Sequence, residues 1–415
     1  MPQKKKILIV AESIDVEDSS GSKANVGLIL NLKDVGFEVL VYHYTRKEIQ
    51  LPGVKCIAIK EKRSNAVFLL SRLQRKLQHG LKINLAKHLE PKFGFSFTFF
   101  NDVRSIAAAL RKEKDFRPDI VLTLSKGASF RPHYALLNTP NLHEKWMAYI
   151  HDPYPFHYYP EPYNWSEPGY EQKIKFFAQV SQKCRWAAFP SQLLKEWMEE
   201  FYPAFKEKGL VIPHQMREEN EPLEVPAYFD PEKFNLLHAG NLMKQRDPFP
   251  LIQAFQIFLN KNPDAAFKTR LLLVGSASYH ISALKKKEQE TEQLVVSDGY
   301  VPYDLVLEMQ EKASANIILE SAAEVSPFLP GKFPHCVAAN KLILHLGPEK
   351  SEVRRLLGSD YEYYAEANDV EMISAKLEQL YVKWKADPES LQLNREDLHS
   401  YLSTDYLKKK IENLT

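Results

Sequence analysis

Two α/β domains, each a doubly wound parallel sheet, are what this sequence predicts, and three observations predict them. Short apolar runs alternate with stretches of helical period, first from Ile7 to Ile212 and again from Asn235 to Lys385. Runs such as Ile7–Val10 are continuously apolar, the pattern of strands covered on both faces. A stretch rich in proline and charge, without periodicity, separates the two series at 216–233. The chain of 415 residues is also long for one core. The expected division is 1–215 and 216–394, with a terminal helix in 395–415 packing back on the first domain.

A hydrophobic fraction of 44% with 26% charged residues is that of a soluble globular protein. A net charge of +2 argues against nucleic acid as a partner, although it leaves room for a local basic patch. Cys56, Cys184 and Cys336 have no metal spacing, which suits a reducing cytoplasm. The start MPQKKKILIVAE has too short an apolar run for a signal peptide and reads as a first strand. No run approaches the roughly 20 apolar residues of a membrane span. Proline, at 26 against 15 glycines, clusters in 153–168 and 213–250 and marks loops.

In the first half, strand Ile7–Val10 is followed by the loop Glu12–Ser22, ending Ser19-Ser20-Gly21-Ser22, then by a helix over Ala24–Val35 and a strand over Phe37–Tyr42. This βαβ unit puts Gly21 and Ser22 where a ligand could approach backbone, but it lacks GxGxxG. Between 64 and 92, Arg72, Arg75, Lys76, Lys82 and Lys87 interleave with Phe68, Leu69, Leu73, Leu77, Leu81 and Leu85. Residues 68–88 thus form either a helix with one buried face or a peripheral contact with an anionic membrane. A helix over Val103–Lys112 and a strand over Ile120–Leu124 come next, then strand Trp146–Ile150, which ends at His151-Asp152-Pro153. Binding groups collect at such carboxyl ends, and the long aromatic loop after His151 reads as a lid or acceptor surface. His151 is a functional candidate; the alternative is a histidine bonded near a turn. Helix Glu171–Ser181, strand Trp186–Phe189, helix Gln192–Phe201 and strand Leu210–Ile212 complete the half.

The second half opens on NLLHAGNLMKQRDPFPLIQAFQIFL, residues 235–259, read as strand, Gly240 loop and helix, with Asp247-Pro248 at the helix start. Lys244 and Arg246 lie just before that start, where free N–H groups and the helix dipole favour an anion. The segment is either a diphosphate site or an ordinary βα turn with solvated basic residues. Strand Arg270–Val274 closes at Gly275, and a lysine-rich helix at 282–293 follows. Strand Leu294–Ser297, helix Tyr303–Ala313, strand Asn316–Glu320, helix Phe333–Ala339 and strand Leu342–Leu346 succeed it. Helices over Ser351–Gly358 and Val370–Lys385 and a terminal helix over 395–411 end the chain.

In this order the pieces resemble the retaining nucleotide-sugar glycosyltransferases of family 4 type, over nearly the whole length. KILIVAE with its Ser/Gly loop, FRPDIVLTLS, YIHDP, AAFPSQLLKEW, VIPHQ, HAGNLMKQRDPFPLIQAF, LLLVGS and SPFLPGKFPHCVAANKLILHLGP each look like a family segment. No single segment is specific; the order is. The resemblance implies the GT-B fold, two Rossmann-like domains facing a cleft, with the acceptor held by the first and the nucleotide sugar by the second.

It further implies that Gly240, Asn241, Arg246, Gly275, Glu320, Glu324, Ser326, Lys332 and His335 bind the donor, together with Gly21 and Ser22. Arg246 and Lys332 would neutralise the leaving diphosphate without a metal, and His151 would position the sugar. Neither a metal nor a cofactor is expected beyond the nucleotide-sugar substrate. The first residue of the family's basic pair falls on Asn241, and the Glu that holds the ribose falls on His335. The earlier family Glu has no clean match, with Glu320 and Glu324 nearby. The pattern Ser-Pro-x-x-Pro-x-Lys is kept as Ser326, Pro327, Pro330 and Lys332. The implied reaction is retaining transfer of a sugar to a saccharide or lipid-linked acceptor, in cell-surface polysaccharide or glycoconjugate synthesis; the expected place is the cytoplasm, where residues 68–88 could hold the protein to the inner face of the plasma membrane. A non-catalytic sugar-nucleotide or glycan binder, and a sugar-nucleotide epimerase on the same fold, are the alternatives.

Overall fold

The computed structural model describes residues 4–80, 86–215 and 223–414, with backbone alone at 78–80 and 86–88. The chain forms two compact units. The first takes the residues up to Tyr159, Asn164–Gln215 and the end of the chain from Thr404; the second takes Pro160–Tyr163 and the stretch that ends at Ser403.

The first unit is a seven-stranded parallel sheet of β1 (Lys6–Ala11), β2 (Glu38–His43), β3 (Lys55–Ala58), β4 (Ile120–Leu124), β5 (Trp146–Tyr149), β6 (Trp186–Phe189) and β7 (Gly209–Val211). Their spatial order is β3-β2-β1-β4-β5-β6-β7. Side chains of β1 alternate between two cores: Ile7 and Ile9 join one face, Leu8 and Val10 the other. Covering both faces is what made the runs continuously apolar. The helices are α1 (Ser20–Asp34), α2 (Ala66–Gly80), α3 (Ala86–Phe93), α4 (Phe97–Lys112), α5 (Arg131–Leu137), α6 (Tyr170–Lys183) and α7 (Gln192–Phe201).

Several elements differ from the sequence expectation. Helix α1 starts at Ser20 because the Ser19 hydroxyl accepts the Ser22 amide at 3.1 Å, so Gly21 and Ser22 belong to the first helical turn. The 64–92 tract is two helices; Leu81, Lys82 and Leu85 lie outside the described residues, as does 216–222 of the expected linker. Strand β3 was too short to stand out. Helix α5 follows Phe130, which is fully buried at φ 50°, a left-handed entry that the Phe-Arg-Pro sequence does not announce.

The second unit repeats the plan with β8 (Phe234–Ala239), β9 (Thr269–Val274), β10 (Leu294–Val296), β11 (Ala315–Leu319), β12 (Val325–Ser326), β13 (Leu342–Leu346), β14 (Lys350–Ser351) and β15 (Tyr364–Ala365). Six of them form a parallel sheet in the order β10-β9-β8-β11-β13-β15, and β12 pairs with β14. Its helices are α8 (Phe249–Lys261), α9 (Ala265–Lys268), α10 (Ile281–Glu290), α11 (Tyr303–Lys312), α12 (Phe333–Ala338), α13 (Glu352–Leu357), α14 (Val370–Ala386) and α15 (Glu396–Tyr401). The expected terminal helix is therefore split. Arg395 donates to the Leu356 and Leu357 carbonyls at the start of α15, which stays with the second unit. Only α16 (Thr404–Glu412) joins the first unit. Its Leu407 and Ile411 pack with Ile7 and Ile9, and Lys5 Nζ donates to the carbonyls of Ile411, Glu412 and Leu414 at its C-terminal end.

Both sheets reverse strand order once, between β1 and β4 and between β8 and β11. The carboxyl ends of strands at such a reversal open a crevice in which ligands of open α/β sheets bind.

Candidate functional site

In the second unit the reversal crevice is filled by positive charge. Lys332, at the start of α12, reaches across it: Nζ lies 3.3 Å from the Ile317 carbonyl of β11 and 3.0 Å from Nδ1 of His238 on β8. Desolvation pushes the Lys332 pKa down to about 7, and the Arg246 guanidinium pushes the same way against Cys336 and Glu320. Burial first, then Lys332 and Arg246, holds His238 well below its ordinary 6.5. Nδ1 of His238 lies 3.0 Å from Lys332 Nζ and 3.2 Å from the Ile317 carbonyl, while its Nε2 is buried without a partner. A buried polar atom with no partner costs about 1–3 kcal/mol. This histidine lies beside two cations, Lys332 and Arg246.

The backbone shapes the space there. A Cβ on Gly240 would stand 3.5 Å from Lys332 Nζ and 3.8 Å from His238 Nε2, so all three border one space. Gly275 has φ 126°, and a Cβ there would meet the Gly240 carbonyl at 2.7 Å; only glycine lets the β8 and β9 ends run this close. Arg246 closes the turn before α8, its amide bonding Met243 O at 2.9 Å and its Nη1 the Asn241 carbonyl at 3.3 Å. Arg246 Nε is a buried donor without a partner. Asp247 caps the helix start by accepting the Phe249 amide at 2.9 Å. Lys244, by contrast, lies over the Tyr279 ring. Gly240, Asn241, Arg246, Gly275 and Lys332 are thus gathered in one crevice.

The remaining expected donor residues divide. His335 Nε2 meets the Tyr303 hydroxyl at 2.7 Å on the α11 side. Glu320 is buried just past β11, accepting from Ser326 Oγ at 2.7 Å and from His345 Nε2 at 2.7 Å. Gly347 lies over this cluster, where a Cβ would fall 2.7 Å from Glu320 Oε2. Glu324 is exposed and lines a separate cavity of about 460 Å³ with Glu161, Gly347, Pro348 and Glu366. His238 and Tyr303 were not singled out from sequence. A histidine inside the apolar run NLLHA was the available signal for the first; nothing marked the second.

In the first unit the crevice between β1 and β4 is bridged by Asn25 of α1, whose Nδ2 donates to Ser125 O at 3.0 Å and, more weakly, to Ser13 O. This orients Oδ1 toward His151 Nε2, 2.9 Å away, so that Nε2 carries the proton and Nδ1 the lone pair. Burial holds His151 well below 6.5, with His214 and His133 adding to the effect. The His214 ring lies parallel at 6.0 Å. Gly21 packs against the Gly127 amide, which a Cβ would approach to 3.3 Å. That neighbouring loop is held by Glu12, which accepts from Ser129 Oγ, from the Lys126 amide at 3.3 Å and from Arg131 Nη1 at 2.6 Å.

No protein-family model matches the chain, and no curated protein matches it in sequence. Solved structures do match its fold. A glycosyltransferase from Rickettsia africae aligns with 99% of this chain and 97% of its own at a TM-score of 0.62 and 15% identity. Sucrose-phosphate synthase from Thermosynechococcus elongatus aligns over 99% and 98%, with a TM-score of 0.62 and 11% identity. Anabaena Alr3699/HepE, solved in complex with UDP and glucose, aligns over 98% of both chains at 0.60 and 9%. With its two parallel-sheet α/β domains, the chain has the fold of GT-B glycosyltransferases.

Proposed function

We propose that this protein is a glycosyltransferase that moves a sugar from a nucleoside diphosphate to a saccharide or lipid-linked acceptor, with retention of configuration. The observation that carries the reading is the crevice of the second unit. Lys332 and the unpartnered His238 Nε2 border a space at the reversal point, with the Arg246 guanidinium near enough to act on both, which suits a diphosphate. Breaking the bond from sugar to phosphate releases negative charge on the diphosphate. Fixed cations in a poorly hydrated crevice stabilise that charge without reorganising, the task that a divalent metal performs elsewhere. An oxygen of the departing phosphate then takes the acceptor's proton, so no protein base is required. His151, neutral at pH 7 with a lone pair on Nδ1, suits a sugar hydroxyl as donor.

Uridine is the first nucleotide to test, because HepE was solved with UDP and glucose. The epimerase alternative needs free carboxylates, and Glu320 is already bonded to Ser326 and His345. A membrane-facing role draws support from α2, where Leu69 is 67% and Leu73 52% exposed while Ser71 and Gln74 are buried. The leucine face turns outward, as suits a helix resting on the cytoplasmic surface of an anionic bilayer. Among the described residues no helix is long and apolar enough to cross a membrane. Calorimetry against UDP-, GDP- and ADP-sugars, with mass spectrometry of added acceptors, tests the proposal. Binding with sugar transfer supports it, binding without transfer or hydrolysis points to a non-catalytic binder, and no binding refutes it.

A further inference from the structure

The face of the first unit formed by α4 carries a pocket that the proposed reaction does not use. It has a volume of about 350 Å³ and is lined by Lys62, Asn65, Arg104, Ala107, Ala108, Arg111 and Asn138, with no carboxylate among them. Helical spacing makes it. Arg104, Ala107, Ala108 and Arg111 stand at i, i+3, i+4 and i+7, so they share one face of α4, the two arginines about 10 Å apart along the axis. The alanines between them have no atoms beyond Cβ, which leaves the space open. Arg111 and Asn138 stand at the C-terminal ends of α4 and α5, from which the chain proceeds to the starts of β4 and β5. The pocket is therefore apart from the strand carboxyl ends that hold Ser22 and His151.

The charge there is not spent within the protein. Glu61, next to Lys62, is occupied by Arg72 at 2.9 Å, Arg75 at 3.6 Å and Arg63 at 3.7 Å. Buried Asp102 on α4 is taken by Arg46 and Arg131. Neither the Lys62 ammonium nor the Arg104 guanidinium bonds to any described residue. Arg111 is braced instead, its Nη2 donating to the Asn138 carbonyl at 2.6 Å, which leaves the rest of its fork to face a ligand. Asn65, whose Oδ1 accepts the Phe68 amide at 2.9 Å and so caps α2, adds polar lining. Three cations around a small-residue floor, two of them unpaired, make a receptor for a compact, multiply charged oxyanion. We infer that this pocket is a binding site for a phosphate group, set by Lys62, Arg104 and Arg111. It is independent of the transferase reading.

The group could arrive on a small soluble phosphate or on a phospholipid headgroup, and arginine labelling separates these. The full-length protein is treated with phenylglyoxal and modification is read residue by residue by peptide mass spectrometry, alone, with inorganic pyrophosphate, and with vesicles of phosphatidylcholine containing phosphatidic acid. Modification is scored arginine by arginine, so pyrophosphate held at Arg246 is read at Arg246 and the readout at Arg104 and Arg111 is their own. Protection of Arg104 and Arg111, but not of exposed Arg117, supports the site, by pyrophosphate if the ligand is soluble and by the acidic vesicles alone if it is a headgroup. Ala108→Leu, which fills the half-exposed floor while keeping every charge, should abolish protection, and Arg104→Glu should weaken the protecting ligand at least about tenfold. Absence of protection by either probe, equal protection of Arg117, or protection that persists in Ala108→Leu overturns the assignment.

Discussion

Lys332 offers the sharpest test, because pH titrates it without any change of sequence. Its folded-state pKa of about 7 lies below the ordinary 10.5, so between these values the folded chain holds fewer protons than the unfolded one. A diphosphate bound beside Nζ favours the ammonium and restores the proton. Nucleotide-sugar affinity should therefore be level below pH 7 and fall by up to about tenfold per pH unit above it, since one unit is worth about 1.4 kcal/mol. A nucleotide sugar is the right probe, as its diphosphate has no group titrating near neutrality. Calorimetry at pH 8 in buffers of different ionisation enthalpy should show uptake of a proton on binding. Lys332→Met should lose the slope and, at pH 6, weaken binding roughly ten- to a hundredfold through loss of a charge-assisted bond. The sign reverses for the empty protein. The cost of a desolvated ammonium is fully present below pH 7 and fades toward 10.5, so any gain in stability of Lys332→Met over wild type should be largest at pH 6 and shrink by pH 9. A flat affinity from pH 6 to 8.5 in the wild type, or a slope that survives in Lys332→Met, would refute the placement of Lys332 against the diphosphate.

Arg246→Ala should weaken binding of the nucleotide diphosphate at least about tenfold by calorimetry while leaving the melting temperature nearly unchanged, since its bonds within the protein are few. Transfer, assayed with the matched nucleotide sugar, should persist in EDTA; strict dependence on added Mn²⁺ or Mg²⁺ would mean that Lys332 and Arg246 do not carry the leaving charge. His151→Ala should bind nucleotide nearly as well as the wild type and lose most transfer; full activity in that variant would assign His151 a structural role with Asn25. The exposed leucines of α2 should bring the protein down with anionic vesicles at low salt, less so as salt rises, and Leu69→Asp with Leu73→Asp should leave it in the supernatant. Equal sedimentation of that double variant would remove α2 from the membrane reading.

What could be read from the chain followed the physics of local pattern. Continuous apolar runs meant strands covered on both faces, and the interposed helical periods meant parallel crossovers. Strand β4 and helix α7 consequently fell on the residues expected, Ile120–Leu124 and Gln192–Phe201. The strand-loop-helix junction that carries Gly240 and Arg246 was legible as well, because it is a local signal, whereas Lys332 entered only through the resemblance. Four features were decided by tertiary structure alone. The partners of a buried polar group come from distant parts of the chain. Thus His238 takes its meaning from Lys332 and Ile317, and Asn25 from Ser125 and His151. Glu320 and Glu324 stand four residues apart, yet one is enclosed with Ser326 and His345 while the other is exposed and lines a cavity. The leucines of α2 have a helical period that fits inward or outward packing equally; α4 receives the Ser71 and Gln74 side and leaves Leu69 and Leu73 outside. Composition, finally, reports one net charge for the whole chain. Only the fold brings Lys62 to the arginines of α4 and commits Glu61 to other guanidiniums, because pairing between charges depends on distance in space and not along the sequence.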